Sequence, residues 1–253
     1  MFVDNFVTNY YNRLRKIKEL NKDIKNGYFM VNRQSTTESG GRRQMEAIIF
    51  DVDGTLWDST EEVAVSWNRA IREQTDLNRV LTGSELKKEF GKPLEEIADD
   101  LFPTLSRKEK EELAVHLYQY ENEWVESAPC ILYDKMPETI RALSKRYRLF
   151  IVSNCQSGYI EAFLKNTGLG DCITDFTCPG DTGKLKGDNI KIIMERNGIR
   201  EAVYVGDTQG DADACRMAGI PMIFAAYGFG EVEGDYVTIH SFDELLGIDY
   251  SKL

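Results

Sequence analysis

The spacing of apolar residues changes period twice along the chain. Ala47-Ile48-Ile49-Phe50 is a short, bulky apolar run. It predicts a strand over Glu46 to Phe50, buried on both faces of a parallel sheet. From Ser59 to about Glu126 the pattern is helical. Ser59-Thr60-Glu61-Glu62 predicts a capped helix start, followed by one broad apolar face of Val63, Val65, Trp67, Ala70 and Ile71. Ser84 to Phe90, Pro93 to Phe102 and Ser106 to about Val125 continue as helices. The last opens on Ser106 and Glu109, the spacing of a capping box. No strand pattern interrupts this stretch, which therefore reads as an all-helical insertion after the first strand.

Beyond Pro137 the chain alternates. Helices are predicted over Glu138 to Lys145, Gly158 to Thr167, Asp188 to Asn197 and Asp211 to Met217. Strands are predicted over Arg148 to Val152, Phe176 to Cys178, Ala202 to Val205 and Pro221 to Ala225. Alternation of this kind implies right-handed crossovers and a parallel sheet. The organisation expected is α/β: a core of residues 45–58 and 127–253, and a helical insertion of residues 59–126.

Polar residues follow several of these strands. Asp51 and Asp53 follow the first, Ser153-Asn154 the second, and Gly206-Asp207 a later one. In a parallel sheet such strand ends share one edge, where ligands bind in open α/β folds. Residues i and i+2 of extended chain point the same way, so Asp51 and Asp53 can converge. Two carboxylates that close repel unless a cation lies between them. A divalent metal with a preference for oxygen, such as Mg²⁺, resolves the conflict. The competing reading is an Asp53-Gly54 turn closing a β-hairpin.

Composition narrows the partners. The 253 residues hold 42 Asp and Glu against 31 Lys and Arg, a formal net charge of −11. That disfavours nucleic acid or an anionic membrane as a main partner. A small anionic substrate remains open, because a metal and one lysine reverse the potential locally. No apolar run approaches the roughly 18 residues of a membrane span, and the start lacks a signal-peptide pattern. Five scattered cysteines without Cys-x-x-Cys spacing read as free thiols in a reducing cytoplasm. His116 and His240 sit in no ligand motif. Residues 1–44 are different in character, with a basic run at Arg13-Leu14-Arg15-Lys16-Ile17-Lys18, a short helix expected over residues 9–25 and a polar linker over 32–44. Gly40 to Gln44 are encodable by purine-rich codons like those of a ribosome-binding site. The expectation is that translation begins at Met45 and that the prefix is dispensable, a basic docking arm being the alternative. An intact mass of natively expressed protein that includes residues 1–44 refutes the first reading.

Four segments in order, Asp51-Val52-Asp53-Gly54-Thr55-Leu56, Val152-Ser153-Asn154, Lys184, and Gly206-Asp207-Thr208-Gln209-Gly210-Asp211, resemble the motifs of the haloacid dehalogenase-like superfamily. The resemblance covers residues 45 to about 247. The helical insertion resembles the C1 cap of its phosphoglycolate phosphatase and β-phosphoglucomutase-like branch. The resemblance implies a Rossmann-like, three-layer parallel-sheet core. It implies a Mg²⁺-dependent phosphatase for small phosphorylated metabolites, with a phosphomutase as the alternative. A dehalogenase is disfavoured, since that branch lacks an acid at the position of Asp53.

The resemblance also implies roles. Asp51 is the expected nucleophile and Asp53 the general acid and base. The expected metal set is Asp51, the backbone carbonyl of Asp53, Asp207 and, directly or through a neighbour, Asp211. Ser153 and Asn154 are expected on the phosphate, Asn154 being equally readable as an ordinary helix cap. Gly183-Lys184-Leu185-Lys186 departs from the family's Lys-Pro-x-Pro. That leaves either Lys184 or Lys186 to enter the site; alignment to the first lysine favours Lys184, and a solvated loop lysine fits Lys186 better. Lys92, in Gly91-Lys92-Pro93 of the insertion, is a specificity candidate, an exposed lysine being the plainer reading.

Overall fold

The computed structural model describes residues 45–253. The expectations for residues 1–44 lie outside it. The chain opens with strands β1 (Ala47–Phe50) and β2 (Trp57–Asp58), then helices α1 (Thr60–Gln74), α2 (Gly83–Glu89), α3 (Leu94–Leu101) and α4 (Arg107–Val125). It returns through β3 (Ile131–Leu132) and continues as α5 (Met136–Leu143), β4 (Arg148–Val152), α6 (Tyr159–Thr167), β5 (Asp175–Thr177), α7 (Pro179–Thr182) and α8 (Lys186–Asn197). It ends with β6 (Ala202–Gly206), α9 (Gln209–Ala218), β7 (Met222–Ala225), β8 (Val237–Ile239) and short 3₁₀ turns.

Six strands form one sheet in the order β5-β4-β1-β6-β7-β8, every pairing parallel. The first strand read from the sequence is thus central. Its side chains alternate between two cores: Ile48 and Phe50 join one apolar cluster, Ala47 and Ile49 the other. This is the period-2 geometry of a strand covered on both faces, and it makes the core three layers. β1 is flanked by β4 on one side and β6 on the other. Hence Asp51, Ser153 and Asp207 emerge from three adjacent strands at one edge.

The helical insertion leaves through β2 and returns through β3. These pair antiparallel, Trp57 with Leu132 and Asp58 with Ile131. Two-residue strands carry no periodic signal, so neither was legible in advance; β8 was missed as well. In α1 the apolar face is Val63, Ala64, Trp67, Ala70 and Ile71, while Val65, expected on it, is 51% exposed. The Ser59 cap is also corrected. Its side chain makes no capping bond because its hydroxyl donates to Asp53 at 2.6 Å. Asp58 serves instead, accepting from the Thr60 amide at 3.1 Å and the Thr60 hydroxyl at 2.6 Å. The Ser106–Glu109 capping box forms as expected. Helix α8 begins at Lys186, two residues earlier than read, a small shift that decides which lysine points inward.

Candidate active site

The site is built where β1 ends. The Asp51 amide donates to the Val205 carbonyl of β6 at 3.0 Å, holding the strand to its last residue. The chain then coils tightly, the Leu56 amide reaching the Val52 carbonyl at 2.7 Å. Gly54 has φ +83°, and a Cβ there would lie 2.1 Å from Asp207 Oδ2. Only glycine allows this conformation and this approach together. The hairpin reading of Asp53-Gly54 is excluded, since both neighbours of β1 run parallel to it.

Asp51 is buried. Burial pushes its carboxyl up and the adjacent Asp211 adds to the shift, while Lys186 and a hydrogen bond with the Ser153 hydroxyl oppose it. Lys186 Nζ lies 3.0 Å from Asp51 Oδ1 and 2.6 Å from Asp211 Oδ1. Burial works against its ammonium, but Asp211 and Asp51 more than offset that and raise its pKa. The expectation for Lys184 is therefore corrected. Lys184 is exposed, and its amide donates to the Thr182 hydroxyl at 3.1 Å. Because α8 starts at Lys186, that residue shares a helical face with the buried Asn189, Ile190 and Ile193, at spacings of three, four and seven.

Asp211 holds the cluster together. Its Oδ2 accepts from the Asp207 amide at 3.1 Å, the Thr208 amide at 3.0 Å and the Thr208 hydroxyl at 2.8 Å, while its Oδ1 takes Lys186. With both oxygens so occupied, Asp211 orients its neighbours. Asp207 is held differently, by the Thr55 hydroxyl at 3.1 Å and the Phe229 amide at 2.8 Å. Its carboxyl is pushed well above the usual carboxylate range by burial, then by Asp211 and Asp51. Asp51, Asp207 and Asp211 bring one oxygen each to within 4.8 Å of one another. Three buried carboxylates with one ammonium leave excess negative charge, and every donor is a hard oxygen. The residues fit a divalent cation of the Mg²⁺ kind, with Asp51 and Asp207, which carry two hydrogen-bonding partners each against four bonds on Asp211, the side chains placed to ligate it.

Asp53 has other surroundings. Its Oδ1 accepts from Trp57 Nε1 at 2.9 Å, the Ser59 hydroxyl at 2.6 Å and the Tyr159 hydroxyl at 2.7 Å. No cation touches it. Burial pushes its pKa up to about 7, the Ser59 and Tyr159 hydroxyls restraining the rise and Asp51 adding to it. Its carboxylate stands apart from the three-aspartate cluster, so a metal would meet only its backbone.

A cleft of about 30 Å³ runs between Asp51, Asp53 and Ser153 on the core side and Trp67, Phe90 and Glu121 on the insertion side. Asn154 lines it too, but its Nδ2 donates to the Gly91 carbonyl at 2.9 Å, tying the core to the insertion. Gly91 has φ +91°, and a Cβ there would press on the Thr208 methyl at 2.9 Å. Lys92, next to it, does not reach the cleft. Its ammonium pairs with Glu89 at 2.7 Å and Asp100 at 2.9 Å, so the specificity role expected of it is corrected. Residues given no site role from the sequence complete the site: Trp57, Ser59 and Tyr159 around Asp53, Thr55 and Phe229 around Asp207, and Glu121 in the wall.

The family model described as haloacid dehalogenase-like hydrolase matches residues 48–225. A phosphoglycolate phosphatase of Vibrio vulnificus is 28% identical over 211 residues, 76% of this chain and 88% of the relative. One of Aquifex aeolicus is 28% identical over 191 residues, 73% and 86% of the two chains. Among solved structures, CbbY from Rhodobacter sphaeroides in complex with phosphate aligns with a TM-score of 0.70 at 19% identity, covering 83% of this chain and all of that one. A hydrolase from Streptococcus pneumoniae aligns with a TM-score of 0.66 at 22% identity, covering 80% and 97%. No helix among the described residues is long and apolar enough to cross a membrane.

Proposed function

The chain belongs to the haloacid dehalogenase-like hydrolases, and on that premise we propose that it hydrolyses phosphate monoesters of small alcohols, the class that includes phosphoglycolate and small sugar phosphates. The observation that carries the reading is the pair Asp51 and Asp53, two carboxylates in unlike surroundings. Asp51 has an ammonium and a hydroxyl on it, which oppose the upward push of burial and favour its anion. Asp53 has only neutral donors and a pKa pushed up to about 7, so both of its protonation states are accessible near neutral pH. One acid against a cation and the other among neutral donors suit the roles of nucleophile and proton carrier.

In this mechanism an Asp51 oxygen attacks phosphorus, forming an acyl phosphate as the ester oxygen departs. Asp53 delivers its proton to that oxygen. It then takes a proton from the water that attacks the phosphorus of the intermediate, which frees Asp51 and phosphate. Ser153 and Lys186 set negative charge on and near Asp51 against a hydroxyl and an ammonium. A divalent cation held by Asp51 and Asp207 would neutralise charge on the phosphoryl oxygens. Trp67, Phe90 and Glu121 of the insertion face Asp53 across the cleft and narrow the approach of water to it.

The test is turnover of para-nitrophenyl phosphate with Mg²⁺, comparing wild type and Asp51→Asn. Wild type should release phosphate. The variant should not, while still unfolding in one cooperative transition. Retained turnover in the variant removes Asp51 from the mechanism. The phosphomutase reading is separated by acceptor: a mutase passes the phosphoryl group to a second sugar hydroxyl faster than to water.

A further inference from the structure

The cleft wall opposite the reacting aspartates carries a buried acid that the reaction does not use. Glu121, on α4, is 4% exposed and lines the cleft with Trp67, Phe90 and Tyr159. Its Oε2 accepts from Trp67 Nε1 at 2.6 Å, and Gln156 hydrogen-bonds to the same carboxylate. A carboxylate has about four acceptor positions, so these two donors leave it unfilled. None of the residues lining the cleft is basic. Lys186 lies behind Asp51, committed to two carboxylates, and Lys92 is paired away from the cleft.

We propose that Glu121 selects the alcohol half of the substrate, and that the alcohol carries an ammonium group rather than a carboxylate. The proposal rests on the phosphatase reading above and deepens it. Phosphoryl oxygens belong at Asp51, which places the rest of a small ester against the insertion wall. An anionic leaving group would find no cation in the cleft lining, and a desolvated charge without a partner is strongly disfavoured. An ammonium would draw Glu121 into its ionised form and meet a carboxylate with vacant acceptor positions, in a lining that includes Trp67, Phe90 and Tyr159.

Three esters of matched length isolate the charge: 2-aminoethyl phosphate, 2-hydroxyethyl phosphate and phosphoglycolate carry a cation, a neutral hydroxyl and an anion at one position. Phosphate release with Mg²⁺ gives kcat/KM for each, with para-nitrophenyl phosphate as the control. Wild type should prefer the amine to the acid by at least about tenfold, the hydroxyl falling between, as expected where a built polar contact is present or lost. Glu121→Gln keeps an acceptor for Trp67 and should compress that order, chiefly by lowering kcat/KM for the amine. A merely supporting Glu121 would lower all three esters by one factor, and that result overturns the proposal. So does a wild-type enzyme that takes phosphoglycolate as well as the amine, a measurement that stands even where the variant fails to fold. Absence of para-nitrophenyl phosphate turnover sinks the phosphatase reading itself, whereas turnover of it without the charge order sinks only the role of Glu121.

Discussion

Replacing Lys186 by Met keeps most of the side chain's length and removes its charge. Lys186 is 4% exposed and bonds to two carboxylates that are themselves buried, Asp51 and Asp211. Deleting one partner of a buried ion pair costs about 3–5 kcal/mol, because the remaining charge is left uncompensated. For a domain of this size about 1 kcal/mol moves the thermal midpoint by 2–4 °C, so Lys186→Met should lower it by roughly 6–20 °C in metal-free buffer. Turnover should fall by about 10²–10³-fold, the usual cost of removing a donor that stabilises developing charge. Lys184→Met is the control. That residue is exposed, and surface substitutions of this kind lie within about 0.5 kcal/mol of neutral. Differential scanning fluorimetry and para-nitrophenyl phosphate kinetics on both variants decide the matter. A Lys184→Met enzyme that is inactive but fully stable, beside a Lys186→Met enzyme near wild type, would refute the assignment.

Asp53→Asn should release a burst of nitrophenol near one equivalent per site and then turn over slowly, since a good leaving group needs little protonation but water still needs a base; near-wild-type steady rates on both para-nitrophenyl phosphate and an alkyl phosphate would end the acid-base role. Excess chelator should abolish turnover, Mg²⁺ should restore it and Ca²⁺ should oppose it, because Ca²⁺ takes more ligands in looser geometry. Saturating Mg²⁺ should also raise the thermal midpoint by mass action, and a midpoint indifferent to Mg²⁺ counts against the three-aspartate site. Burial pushes Glu121 from the ordinary 4.5 up to about 8, with Gln156 and Trp67 restraining the rise. The folded state therefore holds that proton more tightly than the unfolded chain. The stability it contributes is complete below pH 4.5 and is lost as pH rises towards 8. Glu121→Gln should flatten the fall of the midpoint between roughly pH 5 and 8, and an unchanged slope contradicts the buried-acid assignment.

The parts of this molecule legible in the sequence are those with a local signal. β1 announced itself because four apolar residues in a row suit a strand covered on both faces, and Asp51 followed from where that run stops. Asp207 was legible for the same reason at the end of β6. The helical insertion showed through its period, and the capping box at Ser106 through its spacing. What stayed hidden depends on contacts across the fold. Trp57, Ser59 and Tyr159 converge on one oxygen of Asp53 from positions 4, 6 and 106 residues away, and no window of sequence contains them all. Ser59 shows how such a contact overrides a local preference: it had the composition of a helix cap, and a buried carboxylate took its hydroxyl instead. Lys92 failed for the opposite reason. It lies in the right loop, but Glu89 and Asp100 neutralise it before it can face the cleft.

Lys186 belongs between these cases, since a signal was present and alignment to a motif obscured it. Counting forward from Lys186, the residues at three, four and seven are Asn189, Ile190 and Ile193, the inward face of a helix. Counting from Lys184, the same offsets give Gly187, Asp188 and Lys191, of which the last two face outward at least in part. Helical phase therefore distinguishes the lysines where matching the first one to a motif does not. The loss of both prolines from that motif has a structural reading as well. Proline at position 187 would remove the freedom that Gly187 gives α8 to lie against α9, where a Cβ would come within 2.0 Å of the Met217 methyl and 3.0 Å of the Ala214 carbonyl. With α8 drawn this close, its first residue reaches the aspartates, and the ammonium beside Asp51 is supplied from the helix itself rather than from the loop before it.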